Sequence, residues 1–523
     1  MPVWLGHLFL AVAVCALGAA AVRAASPAAP RGLPRVVAAA PLGVGAAVVE
    51  ALALGLVGLG TSPVALTLAA IVTWAAVKAL APSPEHRLRD ELVDWWRGLH
   101  REWRMVAGAV AGVAIAYVGF VLRHPELGFD GIVYHLPEIA LWVHSGHPGA
   151  VVTTAQGLPF GAYPLTDEVA ITWATGIARS MVPMTLFTPL TLVLTLTAGF
   201  VGLRALKTPP WAISLTLGAL AVQPLVVAQL TGPNTDLPAL CWLACEAALC
   251  AIAALPRTAS AGVVVVVHSG AYGAGAPVPP GAGGPGTAPP PPRALLLAPA
   301  LVAFFLAVGT KTAVAPLVLI VLAAALWALR RELRPVLAPL AGALALGLLA
   351  GGVWYLRNLF DHGSPLWPFV AAPGGDPVPK VIDAVSTSLL SRPSATLSGH
   401  LGGYASALAG GVVLLLGGMA AAVANRRAAL AAGATALSVL IWAAAPITGV
   451  SRVPAFAAIA ISAVRYLLPA FAAGATALAL AAHGRWRVPA GVLLRARSCG
   501  ASCATHRSAS RSSPARRRSW PAR

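Results

Sequence analysis

Long apolar runs, separated by short polar segments, follow one another along most of the chain. A helix of about 17 to 25 apolar residues is long enough to cross the hydrocarbon core of a bilayer. The pattern therefore predicts an all-α integral membrane protein with a bundle of about 13 transmembrane helices. The approximate bounds of the runs are 4–22, 41–60, 62–81, 105–122, 183–203, 211–230, 236–255, 294–309, 312–329, 336–356, 401–423, 428–447 and 456–482.

The orientation of the spans follows from the basic residues of the short loops. The first run also has the length of a signal peptide's apolar region, but its leading residues are uncharged and further spans follow, so we expect a retained helix. If the spans alternate, the N-terminus is outside and the loop arginines and lysines fall on one side, which the positive-inside rule makes cytoplasmic. Two segments, 123–182 and 357–400, are then extracytoplasmic and too long to be plain connectors. We expect a functional site there.

Composition excludes several classes of protein. Hydrophobic residues make up 58% of the 523 residues and charged residues only 10%, which excludes a water-soluble fold. The six cysteines show neither a disulfide pattern nor a zinc spacing, and the sequence has no D-x-D triplet, so we expect no metal or other cofactor. The net charge of +19 does not indicate nucleic-acid binding, because ten arginines lie in the segment 483–523 alone.

Three other segments are expected to be architectural. Residues 84–104 have apolar residues at helical spacing among charges, which is typical of a helix in the cytoplasmic membrane interface. Residues 269–293 are nearly all Gly, Ala and Pro, which predicts a disordered cytoplasmic insertion, and 483–523 form a basic disordered tail. The chain thus divides into 1–104, with three spans and the interfacial helix, a main transmembrane domain at 105–482, and the tail.

The first extracytoplasmic loop carries a candidate catalytic acid. Asp130 lies just after the fourth span, between the apolar residues Phe129 and Ile132, so its pKa could be raised and it could act as a general base. An ordinary solvated loop acid is the alternative. The same loop brings Tyr134 and His135 to the outer membrane surface, where they either contact a ligand or pack as interface aromatics.

This loop, Gly128–Gly146, resembles the first extracytoplasmic loop of the GT-C superfamily of polytopic glycosyltransferases. That group contains protein O-mannosyltransferases and lipid A aminoarabinose transferases, and an Asp at this place is catalytic in it. Three further segments resemble its motifs in the family's order, and the likeness covers roughly 106–482. They are Gly309–Thr312 with its lysine, Trp354–Phe369 with Arg357 and Asn358, and Arg465–Pro469, which reads R-Y-L-L-P.

The resemblance implies a bacterial cytoplasmic membrane enzyme whose site faces outward. It would move a sugar from a polyprenyl phosphate donor to an extracytoplasmic acceptor with inversion, using Asp130 as the base. Positive charge is needed to bind the phosphate and to stabilise the charge that grows on it as the glycosidic bond breaks. Lys311, Arg357 and Arg465, at outer span ends, are the candidates. The further candidate substrate-binding residues are Tyr134, His135, Asp167, Glu168, Asn358 and Tyr466.

Each of these residues also has a structural interpretation. Lys311 could snorkel to the interface, and either arginine could pair with a structural carboxylate such as Asp361. Asp167 and Glu168 could cap a surface helix that begins near Val169, although they could also supply the second acid that many relatives carry beside the first, where this chain has Gly131.

Two other interpretations stay open at this point. In the segment Thr231–Asp236, the two polar residues Asn234 and Asp236 read as a turn and a helix cap. The chain as a whole could instead transport a lipid-linked saccharide, or act as a polysaccharide polymerase or ligase. Only Glu50 and Glu246 lie within predicted spans, which makes a weak case for transport.

Overall fold

The computed structural model describes residues 2–84, 86–98, 101–124, 127–152, 154, 158–255, 292–408, 410–451, 459–482 and 489–494. Every regular element in these ranges is helical. The first half contains α1 (Val3–Ala25), α2 (Leu33–Gly55), α3 (Pro63–Leu80), α4 (Leu88–Gly98), α5 (Arg101–Arg123), α6 (Gly128–Asp130), α7 (Leu136–Ser145), α8 (Thr166–Ala178), α9 (Val182–Ala205), α10 (Pro210–Ala221), α11 (Pro224–Val227) and α12 (Asp236–Ala254).

The second half of the chain continues the same architecture. Its helices are α13 (Leu297–Thr310), α14 (Ala315–Leu329), α15 (Leu337–Gly347), α16 (Val353–His362), α17 (Lys380–Val385), α18 (Pro393–Leu408), α19 (Val412–Ala424), α20 (Ala429–Ala444), α21 (Ile459–Ser462) and α22 (Leu468–Ala481). Turns of π-helix at Gly131–His135 and Leu348–Gly352 join α6 to α7 and α15 to α16, and 3-10 turns at Phe160–Ala162 and Ala463–Leu467 precede α8 and α22.

The prediction of an all-α membrane protein is confirmed at this level. Nine helical segments in the described residues are long and apolar enough to cross a membrane, and each overlaps a predicted run, although Leu33–Gly55 begins and ends earlier than the predicted run 41–60. The protein is therefore a multi-pass membrane protein. The predicted run 401–423 is instead a pair of helices bent by 73°, beside Gly410 with its φ of 78°. Three more runs contain shorter apolar helices, at Ala114–Arg123, Pro210–Ala221 and Thr312–Ala328.

The predicted span 211–230 differs from the structure for a local reason. The helix α10 ends at Ala221, and Gln223 is extended, with φ −62° and ψ 122°. Gln223 precedes Pro224, whose ring disfavours a helical conformation for the residue before it. The apolar run is therefore broken into α10 and the short α11.

The helix α12 is the centre of the molecule. It packs against α9, α13, α14, α2 and α22. Its first turn belongs to a core shared with α10, α11, α19 and α22, whereas its next turns belong to a larger core formed with α1–α3, α8, α9 and α13–α16. The N-terminal residue of α12 therefore lies where two helix groups meet.

The three N-terminal helices share the larger core and enclose α8, which contacts α1, α2, α3, α7 and α9. The packing is close: a Cβ atom at Gly6 would lie 2.3 Å from the Ala178 carbonyl oxygen, and one at Gly176 would lie 2.9 Å from the Thr61 Cβ. The interpretation of α8 as a surface helix is wrong, because 12 of its residues, including Asp167 and Glu168, are buried among the surrounding helices.

Two ion pairs join segments that the alternation assigned to the cytoplasm. Arg35 pairs with Glu91 of the amphipathic α4 at 2.6 Å, and Arg293 pairs with Glu332. The predicted insertion 269–293, apart from Pro292 and Arg293, lies outside the described residues. The same holds for the predicted tail, apart from 489–494.

Candidate functional site

Four charged side chains from distant parts of the sequence form a continuous ion-pair chain. Asp130 pairs with Arg465, Arg465 Nε lies 3.2 Å from Asp236 Oδ2, and Asp236 Oδ1 accepts a hydrogen bond from Lys311 Nζ. Three of these residues, Asp130, Lys311 and Arg465, were predicted site residues. The structure brings them together around Asp236, which sequence reasoning had assigned to a helix cap.

The ion-pair chain is buried in its middle and open on its outer side. The Asp236 side chain is 4% exposed, whereas those of Lys311, Asp130 and Arg465 are 16%, 20% and 22% exposed. Removing an ionised carboxylate from water costs several kcal/mol unless cations compensate it. The two cations that flank Asp236 provide that compensation and remain partly exposed at the protein surface.

Local breaks in the helices place three of the four side chains, and the fourth, Asp236, begins α12. Asp130 ends α6 and enters the π-turn, and Gly128, with φ 64°, lets the chain enter α6. Lys311 ends α13 in an extended conformation, with φ −157° and ψ 119°, and Arg465 lies in the 3-10 turn before α22. Interruptions of this kind are common where a helical chain forms a functional site.

The interpretation of Asp236 as a helix cap is wrong. Asp236 is the first residue of α12, and the backbone N–H of Leu237 donates to Gln229 Oε1 at 3.1 Å, so Gln229 supplies the cap. The Asn234 side chain donates to the Gln229 carbonyl oxygen at 3.3 Å. The carboxylate of Asp236 is therefore left to bind Lys311 and Arg465. One sequence signal could have identified it: Lys311 and Arg465 were both expected on the outer side, against the positive-inside pattern, and such cations require a counter-charge.

Aromatic rings line the site. Lys311 Nζ lies 3.9 Å from the ring centroid of Tyr466, a distance at which a cation and an aromatic face attract each other. On the other side, Tyr134 stacks on Phe160 with centroids 4.5 Å apart, and Tyr163 stands nearly perpendicular to both. Phe369 from the second external segment lies 5.3 Å from Tyr163. We call Tyr134, Phe160, Tyr163 and Phe369 the aromatic wall.

Buried acids lie behind the aromatic wall. His135 Nδ1 is 2.5 Å from Glu168 Oε1, and Asp167 Oδ1 accepts a hydrogen bond from Thr310 at 3.3 Å. Burial raises the pKa of Asp167 well above its usual range, and the neighbouring Glu168 raises it further. Burial, reinforced by Glu168, also raises the pKa of Glu138 to about 9. Neither oxygen of Glu138 has a hydrogen-bond partner among the described residues.

Arg357 and Asn358 are held away from the ion-pair chain. The Arg357 guanidinium donates to the carbonyl oxygens of Gly149 and Gly161 and lies over the Trp354 ring. The Asn358 amide donates to the carbonyl oxygens of Ala162, at 2.8 Å, and Trp367, at 2.9 Å. We call this pair the clasp, because it joins the segment 357–400 to the 3-10 turn that carries Phe160.

Comparisons of the chain with family models, curated proteins and solved structures found no match. In the described residues, no group of three or more His, Cys, Asp or Glu side chains is arranged to hold a metal ion. Function therefore has to be argued from the geometry of the ion-pair chain, the aromatic wall and the clasp.

Proposed function

We propose that the protein is a membrane glycosyltransferase of the GT-C type, which moves a sugar from a polyprenyl phosphate to an acceptor outside a bacterial cytoplasmic membrane. The observation that carries this proposal is the ion-pair chain, which joins one accessible acid to two accessible cations at the end of an apolar helix bundle. A base and a phosphate-binding pair are the groups that this transfer needs at the membrane surface.

In the proposed reaction, an acceptor hydroxyl attacks C1 of the sugar while Asp130 takes its proton. The bond between C1 and the phosphate oxygen breaks, and polyprenyl phosphate leaves with both electrons of that bond. A single displacement inverts the configuration at C1. The phosphate is stable as an anion, so the leaving group needs no general acid, in contrast to the paired carboxylates of glycoside hydrolases.

The two cations have donors left for a phosphate. An ammonium carries three N–H groups and a guanidinium carries five, and the contacts with Asp130 and Asp236 use only part of them. A phosphate can therefore bind Lys311 and Arg465 without removing Asp236 from between them. Asp236 would hold the two cations in position, and Tyr466 would form one side of the phosphate site.

A purely structural ion-pair network is the main alternative. Buried ion pairs contribute little net stability compared with apolar packing, so a network of this kind is weak evidence for a stabilising role alone. Three of its four side chains are also partly exposed to solvent, although an ion pair with a purely structural role works best when water is excluded from it. This openness favours a ligand site.

Transport of a lipid-linked saccharide is the second candidate, and one observation favours it. Glu246 is buried within α12, and neither of its carboxyl oxygens has a hydrogen-bond partner among the described residues. Acids within spans are often retained for ion pathways. Glu50, the other acid within a span, accepts hydrogen bonds from Thr73 and Trp173, which is sufficient to explain its presence.

The decisive experiment is Asp130→Asn in the full chain, reconstituted with a panel of polyprenyl phosphate sugars, with products identified by mass spectrometry. We expect binding of the donor to persist and turnover to fall by about 100-fold or more, the usual contribution of a general base. Asp361→Asn is the matched control, since Asp361 is also an external acid beside an arginine but lies outside the ion-pair chain. Wild-type turnover in a folded Asp130→Asn variant excludes the proposed mechanism.

A further inference from the structure

The aromatic wall has two features that a packed core lacks. All four of its side chains are only partly buried, and they come from separate segments that meet beside the ion-pair chain. In addition, the phenol oxygens of Tyr134 and Tyr163 take part in no hydrogen bond with the described residues. The rings of Tyr134 and Tyr163 stand nearly at right angles and form a partly exposed corner. This corner carries two hydroxyl groups that have no hydrogen-bond partner among the described residues.

The phenols restrict what can occupy this corner. Burial raises the pKa of both tyrosines, and the nearby Asp130 carboxylate raises each further, so both hydroxyl groups stay protonated and able to donate. An occupant that covered the rings without hydrogen-bonding partners would remove these hydroxyl groups from water with nothing in return, which is unfavourable. A polyprenyl tail has no such partners, so it is a poor occupant.

We propose that the aromatic wall is a saccharide-binding subsite. A pyranose ring presents C–H faces that pack on aromatic rings and hydroxyl groups that bond to phenols, so it satisfies both features of the corner at once. Only the role of the subsite rests on the proposed function. In that role it would hold a sugar of the donor or of the acceptor next to Asp130. Binding itself needs no catalysis.

The clasp gives this subsite a rigid frame. Arg357 and Asn358 bond to the carbonyl oxygens of Gly161 and Ala162, the two residues that follow Phe160. The turn between Phe160 and Tyr163 is therefore held by the segment 357–400, which also places Phe369 against the Tyr163 ring. A subsite that is already ordered loses little conformational entropy when its ligand binds.

Saturation-transfer NMR on the full chain in lipid nanodiscs tests the subsite, with methyl glycosides of glucose, mannose, galactose and arabinose as probes. At least one glycoside should bind and receive saturation mainly at the C–H protons of one face. Phe160→Leu removes a ring, and Tyr163→Phe removes only a hydroxyl group. We expect each to weaken binding by roughly 2- to 12-fold, the scale of one aromatic contact or one hydrogen bond.

Phe360→Leu is the matched control, since Phe360 is an exposed aromatic in the same external region that is not part of the wall. It should leave glycoside binding unchanged. If Phe160→Leu does not fold, Tyr163→Phe still tests the proposal, because it keeps the ring and its packing. Equal weakening in the control, binding of none of the glycosides, or binding of serine- and threonine-containing peptides in their place would each overturn the subsite.

The subsite and the proposed reaction can fail separately. Asp130→Asn leaves every ring in place, so it should bind the glycosides as the wild type does. Glycoside binding that depends on Tyr163, together with normal transfer by Asp130→Asn, would remove the base mechanism and leave the subsite standing. Loss of transfer in Asp130→Asn with wild-type glycoside binding in both wall variants would remove the subsite alone.

Discussion

Arg465 and Arg357 lie at comparable positions, each near one end of a candidate span and each in a motif with the same resemblance, yet their side chains have different partners. Arg465 contacts two carboxylates. Arg357 contacts two backbone carbonyl oxygens and an aromatic ring, and no carboxylate in the described residues lies within ion-pair distance of it. The first arginine belongs to an open charged site, and the second joins two external segments.

The contrast teaches that an outer cation is not in itself a ligand site. A guanidinium fork suits carboxylates and phosphates, but it also satisfies backbone carbonyl groups that would otherwise be buried without partners. The partners decide the role, and only folding reveals them. The ion-pair chain and the clasp should therefore respond differently to substitution.

The largest expected difference between the ion-pair chain and the clasp is in donor binding. Lys311→Met should weaken binding of polyprenyl phosphate to the protein in nanodiscs by about 1.5 to 3 kcal/mol, because one charged hydrogen bond to the phosphate is lost. Arg465 still compensates Asp236 in this variant, which helps it to fold. Arg357→Met should bind polyprenyl phosphate as the wild type does. Native mass spectrometry gives both affinities, and equal weakening would place Arg357 in the phosphate site after all.

The next effect is on stability. Asn358→Asp replaces a buried donor with an acceptor that faces the carbonyl oxygens of Ala162 and Trp367, so two hydrogen bonds are lost and two carbonyl groups are left unpaired. We expect the free energy of unfolding to fall by about 2 kcal/mol or more. Differential scanning fluorimetry measures this, with the exposed Phe360→Leu as control. Unchanged stability together with weaker donor binding would make Asn358 a ligand residue instead of part of the clasp.

A third effect concerns the pH dependence of stability. The pKa of Glu138 is about 9 in the folded protein and near 4.5 in the unfolded chain. The folded state therefore holds a proton that the unfolded state releases, so this contribution to stability is complete below pH 4.5 and is lost as pH rises towards 9. The wild type should lose stability at up to about 1.4 kcal/mol per pH unit from this group.

Glu138→Gln should flatten the pH profile of thermal stability across that range without shifting the acid limb. A profile that keeps the slope of the wild type would show that Glu138 is ionised in the folded protein.

The smallest effect is expected from single cysteines that report which side each region faces. In a background without Cys15, Cys499 and Cys503, a cysteine at Ser391 should react with an impermeant reagent in intact cells. One at Gly281, outside the described residues, should react only after the membrane is opened. Both variants should keep full transfer activity. Labelling of Gly281 from outside would place the ion-pair chain on the cytoplasmic face, where a polyprenyl-linked donor is not expected.

The all-helical membrane fold could be predicted from apolar length alone, since the nine long candidate spans in the described residues all overlap predicted runs. The breaks within the apolar runs were not predicted. Pro224 divides one run, and Gly410 lies in the bend of another. For the site, the motifs identified Asp130, Lys311 and Arg465 as candidates. The distances between their side chains depend on how the helices pack. Asp236 was missed because a polar residue before a helix resembles a cap, and the actual cap comes from Gln229. The carbonyl partners of Arg357 leave no sequence pattern at all.

The ion-pair chain also sets an order of events during synthesis of the protein. Asp130 and Arg465 are separated by 335 residues, and Lys311 follows Asp236 by 75. A ribosome delivers both carboxylates to the membrane first, then Lys311, and Arg465 only later, just before α22. A nascent chain can join Asp236 to Lys311 early, but Asp130 has no Arg465 to pair with until that point. The ion-pair chain is therefore completed in two steps, and the second step depends on α22.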